Sequence, residues 1–262
     1  MTQSKINEFI ERGKYKQGRR DIKGAYEEYS NLIKYDSKQV EGYSLRGYLN
    51  LWYFCEFEDA KNDFKKALEI EPNHARACYG YGSVLCKFGE INAGVRYLEK
   101  SVEVEPSSSI YHEIGDHKLF LKEDQEALEA FINAAEIELK DKYCFYENAI
   151  ESFDKAVTLL VENKEYENAI KYLKKIIEIR RIAEREDYEP NDYDEDECKE
   201  FYDPCFEIKR MQRLFSQDWY LKNIMKVPSK EELYKNQFHI EFLTIDGEWK
   251  RLDTFTFYEF DR

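Results

Sequence analysis

The sequence predicts an all-α solenoid of antiparallel helix pairs with a small α+β C-terminal appendage, and three observations lead there. First, matched positions recur at nearly constant intervals. Ala25, Tyr29 and Leu32 are followed 35 residues later by Ala60, Phe64 and Ala67; Gly94, Leu98 and Ser101 come 34 residues after those, and Ala127, Phe131 and Ala134 a further 33. A period of this size marks a helix-turn-helix unit that buries its apolar face only by stacking on its neighbours. Second, charged residues make up 36% of the chain, with Glu and Lys frequent at helical spacing. Third, β-branched and aromatic residues flank Asp246-Gly247 near the C-terminus, a hairpin signal.

The units fall near residues 6–39, 41–73, 75–107, 108–141 and 142–180, within a repeat domain spanning 1–183. The first has Phe9 and Gly13 on its opening helix, a polar turn near Arg20-Asp21, and Ala25, Tyr29 and Leu32 on its second helix. The second holds Gly47, then Ala60-Phe64-Ala67 before Pro72. It has one residue more than the first between glycine and alanine, which the turn around Phe54–Glu58 is expected to absorb. The third is the most regular, with Gly82, a turn at Phe88-Gly89, then Gly94, Leu98, Ser101 and Pro106. Tyr111, Ile114 and Gly115 open the fourth.

Ala169, Leu173 and Ile176 extend the series after 42 residues, so the fifth unit is expected to carry a long first helix over about 142–162, with Phe153, Ala156 and Leu160 inward. The string YENAI occurs at Tyr146 and again at Tyr166, too close for a full unit, and its first copy reads as part of that long helix. Small side chains such as Gly82, Gly115, Ala60 and Ala127 should receive the large Phe64, Leu98 and Phe131, since helices approach closely only where one side is small.

Beyond about Ala183 the period ends. Residues 184–203 read as an acidic loop or linker: from Glu184 to Glu200 there are ten acids and two bases, more than half of the formal net charge of -14. Residues 204–262 read as helices plus a hairpin. Asp203-Pro204 starts a helix well, with Ile208, Met211, Phe215, Leu221 and Met225 in an apolar stripe to about Lys226. Ser229-Lys230-Glu231-Glu232 is a capping-box pattern for a short helix over 230–236. Strands are expected near 238–244 and 249–258, packed on the preceding helix or the solenoid because a lone hairpin is marginal in water.

The run Gly82, Gly89, Gly94, Leu98, Ser101, Pro106 and its counterparts resemble the tetratricopeptide repeat over roughly residues 6–180. Departures are Cys78 and Ser44, where the family often has Trp, and Gly94 and Ser101 in place of alanines. The resemblance implies a right-handed superhelix whose first helices line a concave groove that binds peptides or protein segments. First-helix residues not needed for packing would face it: Lys14, Trp52, Tyr53, Arg76, Tyr79, Ser83, His112 and Asp116. Arg76 and Lys14 would select acidic groups. The family's clamp for a chaperone's acidic C-terminus is not reproduced, since Ile10 stands where a Lys would be expected.

No apolar run approaches the roughly 20 residues that span a bilayer, and MTQSKINEFIERGKYKQGRR lacks the apolar core of a secretory signal, so the expected address is cytoplasmic with no membrane partner. Net charge argues against a nucleic-acid surface. The six cysteines form no Cys-x-x-Cys pair and read as small thiols, Cys78 and Cys86 buried in helices. His112 and His117 lie five apart, on different helix faces, which argues against a zinc pair. Asp192, Asp194 and Asp196 alternate like calcium ligands, but Glu197 stands where the sharp turn needs Gly. No phosphate loop or nucleophile elbow is present. The reading is a non-catalytic adaptor or scaffold with no cofactor. Its rival is an inhibitor or immunity-type protein whose acidic loop blocks a basic site, and self-association through a terminal helix pair is a third reading.

Overall fold

A computed structural model describes residues 2–141 and 144–185, together with 225–226, 240–243 and 249–252. These fall into two compact units, residues 1–145 and 146–262.

The first unit is built of four antiparallel helix pairs: α1 (Gln3–Gly18) with α2 (Ile22–Tyr35), α3 (Val40–Leu49) with α4 (Phe57–Ile70), α5 (Ala75–Lys87) with α6 (Ile91–Val104), and α7 (Ser108–Phe120) with α8 (Asp124–Glu138). Each pair packs on the next through α2 against α3, α4 against α5 and α6 against α7, and the first helices also meet one another, α3 against α5. The periodic residues form the core. Ala25, Tyr29, Leu32, Ala60, Phe64, Ala67, Leu98, Ala127, Phe131 and Ala134 have no exposed surface. Truncating a buried Phe such as Phe64 or Phe131 removes on the order of 3–5 kcal/mol.

Local chemistry ends each helix where the sequence requires it. Asp21 caps α2, its carboxylate accepting from the Gly24 N–H at 3.0 Å, and the His74 ring accepts from the Ala77 N–H at 3.2 Å to cap α5. Glu71 and Glu105 are extended, as residues before Pro72 and Pro106 must be, and so stop α4 and α6. Every helix pair turns through one left-handed residue: Arg20, Cys55, Gly89, Lys122 and, in the second unit, Lys164. Their successive intervals of 35, 34, 33 and 42 residues repeat the side-chain period in the backbone.

The expected small-to-large contacts are present. A Cβ added at Gly13 would strike the Tyr29 ring, at Gly47 the Phe64 ring, at Gly82 the Leu98 side chain and at Gly115 the Phe131 ring. The departures from the family pattern also have physical reasons. At Gly94 a Cβ would collide with Cys86 Sγ and lie 2.7 Å from the Gly82 carbonyl oxygen, so alanine does not fit. Ser101 is buried and its hydroxyl donates to the Ala75 carbonyl at 2.9 Å, tying α6 to the first turn of α5. Ser44 donates to the Glu41 carbonyl at 3.3 Å, and Cys78 is fully buried with burial pushing its thiol up.

A largely buried ion pair lies between α3 and α4. Arg46 grips Asp63 with two hydrogen bonds, 2.9 and 2.6 Å, and buried Asn50 donates to the same carboxylate at 3.2 Å.

One expectation is corrected here. The extra residue of the second repeat, residues 41–73, is not in the turn at 54–58; the end of α3 widens into a π-helical turn, Asn50–Phe54, which absorbs it. Leu49, Asn50 and Leu51 are consecutively buried as a result, and Trp52 and Tyr53 that follow are pushed out to solvent.

In the second unit, α9 (Tyr146–Glu162) packs on α10 (Tyr166–Arg185), with Phe153, Ala156, Leu160, Ala169, Leu173 and Ile176 buried as the apolar spacing predicts. The added length is shared: α9 has 17 residues against 13 in α7, and the connection over 139–145 is also longer than that over 105–107. The two YENAI strings open the two helices of one pair. A three-stranded antiparallel sheet is ordered β1 (Met225–Lys226), β2 (Ile240–Leu243), β3 (Trp249–Leu252), with Leu243 opposite Trp249 and Met225 opposite Phe242. Met225 and Lys226, expected to close a helix, instead pair as a strand. The acidic segment beyond Arg185, the expected helices over 204–224 and 230–236, the Asp246-Gly247 turn and residues 253–258 lie outside the described residues.

Candidate peptide groove

The first helices of the 1–145 unit form one layer, and side chains that bridge adjacent first helices show what that layer carries. Between α3 and α5, the Glu41 carboxylate accepts from Arg76 at 2.8 Å and lies 3.4 Å from the His74 ring. The His74 hydrogen bond, with the Arg76 charge, holds Glu41 below the usual carboxylate range. Between α5 and α7, the Ser83 hydroxyl donates to Glu113 at 3.1 Å. His117, one turn on from Glu113, has its Nε2 3.7 Å from the same carboxylate. Hydrogen bonding to the Cys86 thiol, then to Glu113, raises the His117 imidazole to about 10. Burial, with the nearby Glu113 charge, raises the Tyr79 phenol far above its ordinary value.

The aromatic side chains gather at the π-turn. Trp52 is 40% exposed and Tyr53 50%. The Trp52 indole lies near-parallel to the Tyr79 ring of α5, 19° between planes and 6.3 Å between centroids, and Tyr48 sits 6.4 Å from both Trp52 and Tyr53. Lys87, at the end of α5, places its Nζ 5.5 Å from the Trp52 ring centroid and 5.7 Å from that of Phe57.

Of the eight residues expected at the groove, Trp52, Tyr53 and Tyr79 come together here. The others differ. Ser83 is only 2% exposed and acts in the contact between α5 and α7, so its hydroxyl is spent inside the protein. Arg76 pairs with Glu41 of α3 at 2.8 Å and Lys14 with Glu11 of its own helix at 3.4 Å, both pairs at the surface. His112 meets the Phe131 ring edge-on at 5.3 Å and lies 3.8 Å from Asp116, the pair flanking the core of the fourth helix pair. Tyr79 is half-buried, so truncating it disturbs packing as well as any ligand.

Glu41, Glu113 and Lys87 escaped the sequence reading, which weighed His117 only as a zinc ligand. Glu113 shares the Asp116 face of α7, and a search for acids within one turn of a candidate histidine would have found it. Lys87 carried no such signal, because its ring partners sit on a different helix pair. Among the described residues no group of three or more His, Cys, Asp and Glu side chains is placed to hold a metal ion, and no helix is long and apolar enough to cross a membrane.

Stacked helix pairs with a left-handed turn residue at each repeat define an α-solenoid of the helix-turn-helix class. Within that class the fold is like that of tetratricopeptide repeat proteins, and one stretch of the chain matches the repeat itself. The sequence profile of that repeat matches residues 158–182, which span the turn between α9 and α10. No curated protein matches the sequence. Among solved structures, the MamA protein is 20% identical with a TM-score of 0.56, covering 74% of this chain and 100% of its own. PilF of Pseudomonas aeruginosa is 14% identical with a TM-score of 0.55, covering 84% and 96%. YrrB, described as a tetratricopeptide repeat protein with an unusual peptide-binding site, is 22% identical with a TM-score of 0.50, covering 65% and 84%. At these identities the likeness is one of fold.

Proposed function

We propose that the chain is a non-catalytic adaptor or scaffold that binds a peptide or protein segment on the first-helix layer of residues 1–145, in a cytoplasmic setting. The observation that carries this reading is the aromatic cluster Trp52, Tyr53 and Tyr79. Packing does not require two neighbouring large aromatics half in solvent, and aromatic side chains of this kind are the usual anchors of protein interfaces. Glu41, His74, Arg76 and Glu113 of this layer are engaged in a helix cap and in contacts between helices. The peptide-binding site named for YrrB supports the same use of the fold.

The test is capture of partner proteins by the immobilised chain. Trp52→Ala with Tyr53→Ala should abolish capture of specific partners while the thermal midpoint moves little, since both side chains are substantially exposed. Retention of the same partners by the double variant, together with their loss on deletion of 186–200, would move the activity to the acidic segment.

A further inference from the structure

Lys87 differs from the other ammonium groups of this layer. Lys61, on the second helix α4, also lies over a ring, 4.9 Å from the Phe88 centroid, but Glu90 pairs with it at 3.0 Å. Lys14 is met by Glu11, and Lys118 by Glu123 and Glu99. Lys87 is exposed and lodged against the Trp52 and Phe57 rings, and among the described residues no carboxylate forms an ion pair with it. The rings fix the position of its charge without cancelling it, because a cation–π contact leaves the ammonium's other hydrogen-bond directions open. Trp52 and Tyr53, both more than a third exposed, each lie 6.4 Å from the Tyr48 ring. Apolar surface and one uncompensated positive charge, both held in place before binding, are complementary to a carboxylate that neighbours a bulky apolar side chain.

Resting on the segment-binding reading above, we propose that the Trp52–Tyr53–Lys87 patch docks an acidic-apolar peptide segment, with an Asp or Glu carboxylate accepting from Lys87 Nζ and the adjacent aromatic or aliphatic side chain lying against Trp52 and Tyr53. Arg76, which the sequence reading named with Lys14 for this task, is paired with Glu41 instead of standing alone. The site therefore lies at the turn end of the first helices, where α3 widens, and not midway along them.

The experiment selects a random decapeptide phage library on the full chain, then measures enriched peptides by fluorescence polarisation against Trp52→Ala, Lys87→Gln, Lys87→Glu and Tyr79→Phe, with thermal midpoints recorded for each. The expected enrichment is an Asp or Glu beside Phe, Leu, Trp or Tyr. Trp52→Ala and Lys87→Glu should each weaken the selected peptide by about tenfold or more, as for loss of a centrally placed anchor or reversal of a contacting charge. Lys87→Glu should also prefer the version with Lys in place of the acid, and added salt should weaken the wild-type complex. Enriched peptides that lack an acid, or that bind Lys87→Glu unchanged, would overturn this proposal while leaving segment binding intact. Failure of any peptide to enrich would overturn both readings.

Discussion

Gly82 and Gly94 bring the backbones of α5 and α6 into direct contact: a Cβ on Gly82 would stand 2.8 Å from the Gly94 carbonyl oxygen, and one on Gly94 would stand 2.7 Å from that of Gly82. The tetratricopeptide pattern favours alanine at the second position, so Gly94→Ala looks like a repair towards the family norm. The geometry predicts the opposite. Because the obstacle is backbone and the buried Cys86 thiol, the pair must separate, at a cost of about 1–3 kcal/mol. Chemical denaturation of Gly94→Ala should show a lowered midpoint, and Gly94→Ala with Cys86→Ala should recover only part, since the carbonyl contact remains.

The left-handed turn residues make a second, oppositely signed prediction. Gly89 suits its φ of 81°, whereas Lys122 is held at 62° without the freedom that a missing Cβ gives. Lys122→Gly should stabilise the protein by about 1 kcal/mol and Gly89→Ala should destabilise it by at least as much, both read from denaturation midpoints. A null result at both positions would show that the turn tolerates either conformation.

Removing one partner of the largely buried Arg46–Asp63 pair should be severe. Arg46→Ala leaves the Asp63 carboxylate inside the α3–α4 contact with only Asn50 as a donor, and a loss of about 3 kcal/mol is expected. Asp63→Asn with Arg46→Met should be milder than Arg46→Ala alone, because no uncompensated charge is left buried.

His117 gives the fold a pH dependence of known sign. Its folded value, about 10, lies above the ordinary imidazole value near 6.5, so folding favours the protonated ring. The associated stability is fully present below about pH 6.5 and is lost progressively as pH rises towards 10. Denaturation midpoints of the wild type should therefore fall across that window, and those of His117→Gln should fall less steeply. Parallel slopes would remove His117 as the source.

Much of this architecture was legible in the sequence because packing is periodic. Tyr29, Phe64, Leu98 and Phe131 had to meet small residues on the partner helix, and the spacing of those two sets fixes the helix pairs and their core. The candidate site was legible only in part. Trp52 and Tyr53 stood out as aromatics without a packing role. The fates of Arg76 and Ser83 were set by Glu41 and Glu113, 35 and 30 residues away, and no local pattern predicts which of several nearby acids a side chain will find. The π-turn was visible as one surplus residue, but a surplus residue in a turn and one in a widened helix leave the same count. Met225 and Lys226 were misread because two residues at the end of an apolar stripe suit a helix or a strand equally, and only their pairing with Phe242 and Glu241 decides.

The widened end of α3 also sets how this surface can be lost. Substitutions at Trp52 or Tyr53 change its chemistry one atom group at a time, whereas deleting a single residue between Asn50 and Phe54 would let the α-helix close and turn every later side chain of that segment by about 100°. The aromatics would then leave their present places beside Tyr79 and Lys87 while the next helix pair kept its register. Chain length at this one point is thus a switch that point mutation does not reach, and sequences that carry or lack the surplus residue should divide into those that display the patch and those that keep only the scaffold.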